Sequence, residues 1–153
     1  MRKTFKILIL TCLLAVLIVS CERADIGVSM SEIQPFVTSS GQMGFSFYAY
    51  ANLPSDDGNK IEIKSPSGRL SWNCELQAVT FDGAKYFGSS NFVMPPSANL
   101  ENGSYSYLIV CKDGRTIEGT FSLRYQDKDG AIERSEGLKK PYFDTASNLT
   151  VLN

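Results

Sequence analysis

The chain has 153 residues, 43% hydrophobic and 20% charged, with a formal net charge of −1, a length and composition that fit one globular domain and exclude disorder as a whole-chain state. Arg2, Lys3 and Lys6 hold three of the 15 basic side chains, so residues 21–153 carry a net charge of −4; with no cluster of Lys and Arg, that surface argues against a nucleic-acid partner. Histidine is absent, which removes most Ser/His, Cys/His and zinc chemistry.

Residues 1–21, MRKTFKILILTCLLAVLIVSC, open with basic residues and continue as an apolar run over residues 7–19. Thirteen residues fall short of the about 20 that a membrane span needs and match the core of a signal peptide. Ile18-Val19-Ser20-Cys21 resembles the lipobox of bacterial lipoproteins, with an aliphatic residue at −3, a small one at −1 and the Cys that becomes the first mature residue. The resemblance implies a signal peptide over residues 1–20, diacylglycerol on the Cys21 thiol and usually an acylated (palmitate-type) amine. It also implies a lipid-anchored place in the bacterial cell envelope. Cys12 reads as an ordinary apolar residue of the signal core. Glu22-Arg23-Ala24-Asp25 forms a tether of roughly 14 Å at about 3.5 Å per extended residue, so the domain stays close to the bilayer.

From residue 26 onward the pattern is that of strands and turns. Residues 26–37 read as a first strand, with Ile26, Val28 and Met30 alternating and an interruption at Pro35 that suits an edge. Residues 43–53 alternate Phe45, Phe47, Ala49 and Ala51 against Ser46, Tyr48 and Tyr50, a well-buried strand. A polar loop over residues 54–59 leads to a short strand at Ile61-Glu62-Ile63 and a turn at Ser65-Pro66-Ser67-Gly68. Leu70, Trp72, Cys74 and Leu76 share one face of the next strand. Residues 79–94 are less regular, with a turn at Asp82-Gly83 and an apolar run at Phe92-Val93-Met94. No helical periodicity appears between residues 22 and 125. The domain over residues 26–153 is therefore all-β.

Residues 100–125, LENGSYSYLIVCKDGRTIEGTFSLRY, form a β-hairpin around Asp113-Gly114. A two-residue loop would set the tyrosine face against polar partners. A three-residue loop, Lys112-Asp113-Gly114, pairs Ile109 with Ile117 and Tyr105 with Phe121. Because a one-residue slip exchanges the faces, the apolar pattern selects the odd loop with Gly114 in a bulge. Leu108 and Val110 then point away from the core, either covered by residues 142–152 or forming a small contact patch. Leu100-x-x-Gly103-x-Tyr105 resembles the tyrosine corner of immunoglobulin-like and fibronectin-III-like sandwiches, which implies a single immunoglobulin-like β-sandwich of about 7–8 antiparallel strands. Residues 127–140 carry eight charges and read as a polar loop or projecting ribbon. Residues 141–153 regain apolar character and are a candidate last strand.

Cys74 and Cys111 both fall on apolar faces. In an oxidising envelope they form a candidate disulfide, with buried free thiols as the alternative and a redox pair disfavoured by the lack of C-x-x-C. Phe143-Asp144-Thr145-Ala146-Ser147-Asn148-Leu149 resembles the active-site loop of pepsin-like aspartic proteases. However, Ala146 replaces the loop glycine, and no second Asp-Thr-Gly supplies the partner carboxylate. Asp127-Lys128-Asp129-Gly130 and Ser55-Asp56-Asp57-Gly58-Asn59 stop short of the EF-hand pattern and read as turns. No catalytic, metal-binding or small-molecule cofactor site is expected; the lipid on Cys21 is the one attached group. The expected role is a non-enzymatic binding or assembly module with an envelope protein as partner. The alternatives are a purely structural lipoprotein and a hydrolase working through two carboxylates.

Overall fold

A computed structural model describes residues 25–96, 98–124, 132–133 and 148–151. Cys21, the expected signal peptide over residues 1–20, residues 134–147 and most of the charged segment 127–140 lie outside the described residues. The elements are β1 (Gly27–Val37), β2 (Met43–Asn52), β3 (Lys60–Lys64), β4 (Leu70–Glu75), β5 (Gln77–Phe81), β6 (Ala84–Val93), β7 (Gly103–Val110), β8 (Thr116–Leu123), β9 (Ile132–Glu133) and β10 (Asn148–Val151). They build two sheets, ordered β5-β6-β2-β1-β9 and β10-β4-β3-β7-β8. The eight longer strands pair antiparallel, four to a sheet, in the connectivity of an immunoglobulin-like sandwich, with β4 added beside β3. Two short strands extend it: β9 runs parallel to β1 at Phe36 and Val37, and β10 runs antiparallel along β4.

The core follows from which side chains the pleat turns inward. Phe45, Phe47 and Ala49 of β2 face Ile61 and Ile63 of β3, Trp72 of β4, and Tyr105, Tyr107 and Ile109 of β7, and all of these are buried. Aromatic rings dominate: Phe45 meets Trp72 edge-on at 5.4 Å and stacks on Phe92 at 5.0 Å, while Tyr105 stacks on Phe121 at 5.3 Å. Such pairs each add about 0.5–1.5 kcal/mol beyond the area they bury. The tyrosine corner closes as expected: the Tyr105 hydroxyl donates to the Glu101 carbonyl at 2.9 Å beside buried Leu100.

The hairpin register is the one the apolar pattern selects, with Ile109 opposite Ile117 and Tyr105 opposite Phe121. Cys111 N–H donates to Arg115 O at 2.8 Å and Gly114 N–H to Cys111 O at 2.9 Å, enclosing Lys112-Asp113-Gly114 as the tip. Gly114 sits at φ +86°, the left-handed conformation such a bulge requires.

Two expectations are corrected and a third is sharpened. Pro35 does not interrupt β1; it pairs with Phe45 inside the strand, tolerated because β1 has a long partner on one side only. Met30 does not continue the inward set of Val28, because a bulge between them turns Met30 outward opposite Tyr50. The less regular stretch over residues 79–94 carries its expected turn, and its irregularity is a single bulge in β6. It forms the β5–β6 hairpin, closed by Asp82 and Gly83 at φ +50° and +76°, the two positive angles of a type I′ turn. One extra residue in β6 between Ser89 and Phe92 shifts its parity, so Phe87 and Phe92 both face inward although they are five apart.

Candidate functional site

The outer face of the second sheet holds the two residues singled out as a contact patch. Parity sets it: Glu62 and Lys64 of β3, Ser106, Leu108 and Val110 of β7, and Glu118 and Thr120 of β8 all point away from the core. Leu108 lies directly between Glu62 on one neighbouring strand and Glu118 on the other. A groove of about 420 Å³ runs over it, lined by Glu62, Lys64, Ser106, Leu108, Glu118 and Thr120 with Tyr107 and Gly119 beneath, while Val110 lies outside it. Leu108 is half-buried and Val110 is 38% exposed. The suggested cover does not form within the described residues, because Asn148–Val151 pairs with β4, on the far side of β3 from β7.

The groove has an aliphatic floor and acidic walls. Glu62 accepts a hydrogen bond from Ser71 Oγ at 2.8 Å and lies 3.4 Å from Lys64 Nζ. The arrangement suits an extended, partly apolar segment carrying hydrogen-bond donors.

At one end of the sandwich the loops form a paired charged rim. Lys85 meets Asp56 at 2.8 Å, Lys112 meets Asp57 at 3.0 Å, and Arg115 meets Asp113 at 2.8 Å. Asn59, fully buried, knits this end together: its Nδ2 donates to Ser55 O at 2.7 Å and its Oδ1 accepts from Lys112 N–H at 3.1 Å. The hydrogen bond from Ser55, and then Lys112, hold the Asp57 carboxyl below its usual range. The Ser55–Asn59 stretch is thus turn chemistry, and no group of three potential metal-ligating side chains occurs among the described residues.

Cys74 and Cys111 are both buried and both free. The expected bridge is overturned by strand order. Cys74 lies on β4 and Cys111 just past β7, with β3 between them. Two strand spacings of about 4.8 Å exceed the Cα separation of at most about 7 Å that a disulfide spans. Alternation had indicated correctly that both point inward, but it carries no information on which strand lies between them. Burial pushes the Cys74 thiol up to about 11 and also raises Cys111. Both thiols are expected to resist iodoacetamide at pH 8 in the folded protein and to react once urea unfolds it; rapid labelling of native protein would contradict this placement. The ordinary thiol value is 9.0, so the sign is fixed. The stability contributed by keeping Cys74 protonated is complete below about pH 9 and is lost as pH rises through about 11.

A second surface was not anticipated. On the outer face of the first sheet, Met30, Tyr50, Tyr86 and Val79 lie side by side across β1, β2, β6 and β5, with Phe81 next along β5. Met30, Tyr50 and Phe81 are 42%, 45% and 40% exposed. Tyr86 packs at 6.0 Å from Tyr50 and 6.1 Å from Tyr48, whose hydroxyl bonds the Glu32 carboxylate. The bulge before Met30 and the Asp82-Gly83 turn create this stripe, and the turn was the one signal in the sequence that pointed towards it.

No protein-family model matches this chain, and comparison with curated proteins and with solved structures found no match.

Proposed function

We propose that this chain is a lipid-anchored protein of the bacterial cell envelope, held through Cys21, whose sandwich is a non-enzymatic binding or assembly module. The observation that carries the anchor is the run from a basic start through 13 apolar residues to Ile18-Val19-Ser20-Cys21. Two or three acyl chains at that Cys hold a domain on a membrane firmly, where one chain binds only marginally. The Leu108 groove supports binding rather than a purely structural role, since it gathers an aliphatic side chain and the acceptors of Glu62 and Glu118 into one concavity of about 420 Å³. The partner is an envelope protein presenting an extended segment, and no cofactor beyond the lipid takes part. Metabolic labelling with a radioactive fatty acid tests the anchor. Label is expected in the wild-type protein and absent in Cys21→Ala, which is released from the membrane fraction; undiminished label in the variant would overturn it.

A further inference from the structure

We propose that the Met30–Tyr50–Tyr86–Phe81 stripe is the face with which the domain lies on the phospholipid surface, so that the sandwich rests side-on and presents the Leu108 groove away from the membrane. The inference rests on the lipid anchor at Cys21 proposed above.

Chain geometry places the stripe close to the anchor. β1 begins at Gly27, opposite Asn52 at the end of β2, and the Asn52 side chain donates to Asp25 O at 2.7 Å. β5 ends and β6 begins at this same end, through Phe81 and Ala84. The stripe therefore occupies the part of the first sheet nearest to where the chain enters the domain. Only Glu22–Asp25 separates Cys21 from that point, and four residues reach at most roughly 14 Å at about 3.5 Å each. Met30 is five residues beyond Asp25, about 17 Å further at about 3.4 Å per residue along a strand. So short a tether holds the domain in one of two poses: standing on its end, or lying on a face that meets that end.

Chemistry decides between the poses. Standing on end would press the rim of Asp56–Lys85, Asp57–Lys112 and Asp113–Arg115 pairs into the headgroups, exchanging hydrated ion pairs for no apolar gain. Lying on the first sheet instead removes Met30, Phe81 and the two tyrosine rings from water. Tyrosine suits this boundary, because its ring enters the apolar side while its hydroxyl stays hydrated. The outward set of the stripe carries no Lys or Arg; of the acids beside it, Glu32 is bonded to Tyr48 and Asp82 sits in the turn after Phe81. The surface it fits is accordingly a neutral, zwitterionic bilayer rather than an anionic one, for which a basic patch is the usual signature. Val110 lies at the same end of the sandwich but on the opposite outer face, which makes it the natural control.

The test uses the full-length lipidated protein purified from membranes and reconstituted into phosphatidylcholine vesicles. An environment-sensitive fluorophore is attached to Phe81→Cys, to Met30→Cys or to Val110→Cys; Cys74 and Cys111 are buried and stay unlabelled under native conditions. Spin-labelled lipid is expected to quench the probes at 81 and 30 at least about twofold more strongly than the probe at 110, as insertion of about 5–10 Å at the headgroup boundary demands. Equal quenching at all three positions, or none at 81 and 30, overturns the docking. A probe at 81 that escapes lipid but changes emission with protein concentration also overturns it, by placing a second copy on the stripe. Mass measurement of the same sample separates the two readings. Protein without lipid on Cys21 overturns the anchor and the docking together, whereas lipidated protein with unquenched probes overturns the docking alone.

Discussion

Trp72→Ala is expected to destabilise the domain by about 3–5 kcal/mol, the range for deleting a large aromatic from a packed core. Trp72 is fully buried, meets Phe45 edge-on at 5.4 Å and lies 6.3 Å from Tyr105, the tyrosine of the corner. Its Nε1 donates to Val93 O at 3.1 Å, tying β4 of one sheet to the end of β6 in the other. Truncation removes the packing and leaves that carbonyl without its donor, which adds to the cost. Against a total stability of about 5–15 kcal/mol for domains of this kind, the loss is a large fraction of the whole. Urea titration followed by far-UV circular dichroism measures it, since Trp72 is the single tryptophan and its own fluorescence is lost. A loss below about 1 kcal/mol would show that the side chain does not bridge the sheets.

The second large effect is expected at Gly119→Ala. A Cβ there would stand 2.3 Å from both Cζ and Oη of Tyr107 and 2.7 Å from its Cε1. The ring has little room to retreat: it is buried, packs against Phe47 at 5.4 Å and Phe121 at 6.4 Å, and its hydroxyl end reaches towards Ser31 of β1. Tyr107 crosses beneath β8 at this glycine to reach the other sheet, so glycine is required by a close approach. Overpacking of this kind costs about 1–3 kcal/mol, and each kcal/mol lowers Tm by roughly 4 °C in a domain of this size. Tyr107→Phe combined with Gly119→Ala is expected to recover part of the loss, because it removes one of the clashing atoms. A Gly119→Ala melting curve that overlays the wild type would contradict the close approach.

What was legible in the sequence was local. Asp113-Gly114 and the parity of Tyr105, Tyr107 and Ile109 against Ile117 and Phe121 define a register, because a slip by one residue exposes every apolar side chain. Tyr105 announced its corner through Leu100 and Gly103. The features that were not legible depend on strand order and on bulges. Cys74 and Cys111 read as neighbours on inward faces until β3 is placed between them. One extra residue in β6 hid the alternation of Phe87 and Phe92, and one in β1 turned Met30 outward. The stripe is not legible in the sequence for the same reason. Met30, Tyr50, Tyr86 and Phe81 sit on four different strands, and each alone is the ordinary exposed apolar residue that every protein surface contains. The Leu108 groove lay between these extremes: its outward direction followed from the hairpin, while its acidic walls needed the pairing of β3 and β8 on either side.

The roles proposed for both surfaces depend on the proposed anchor at Cys21, which would set the face turned to lipid and the face left for a partner. The intact mass of the protein isolated from envelope membranes tests this most directly. The expected species begins at Cys21 and carries the added mass of a diacylglycerol group, with a further acyl chain on its amine. A chain that retains residues 1–20, or one that begins at Cys21 with an unmodified thiol, would contradict the lipid-anchored reading.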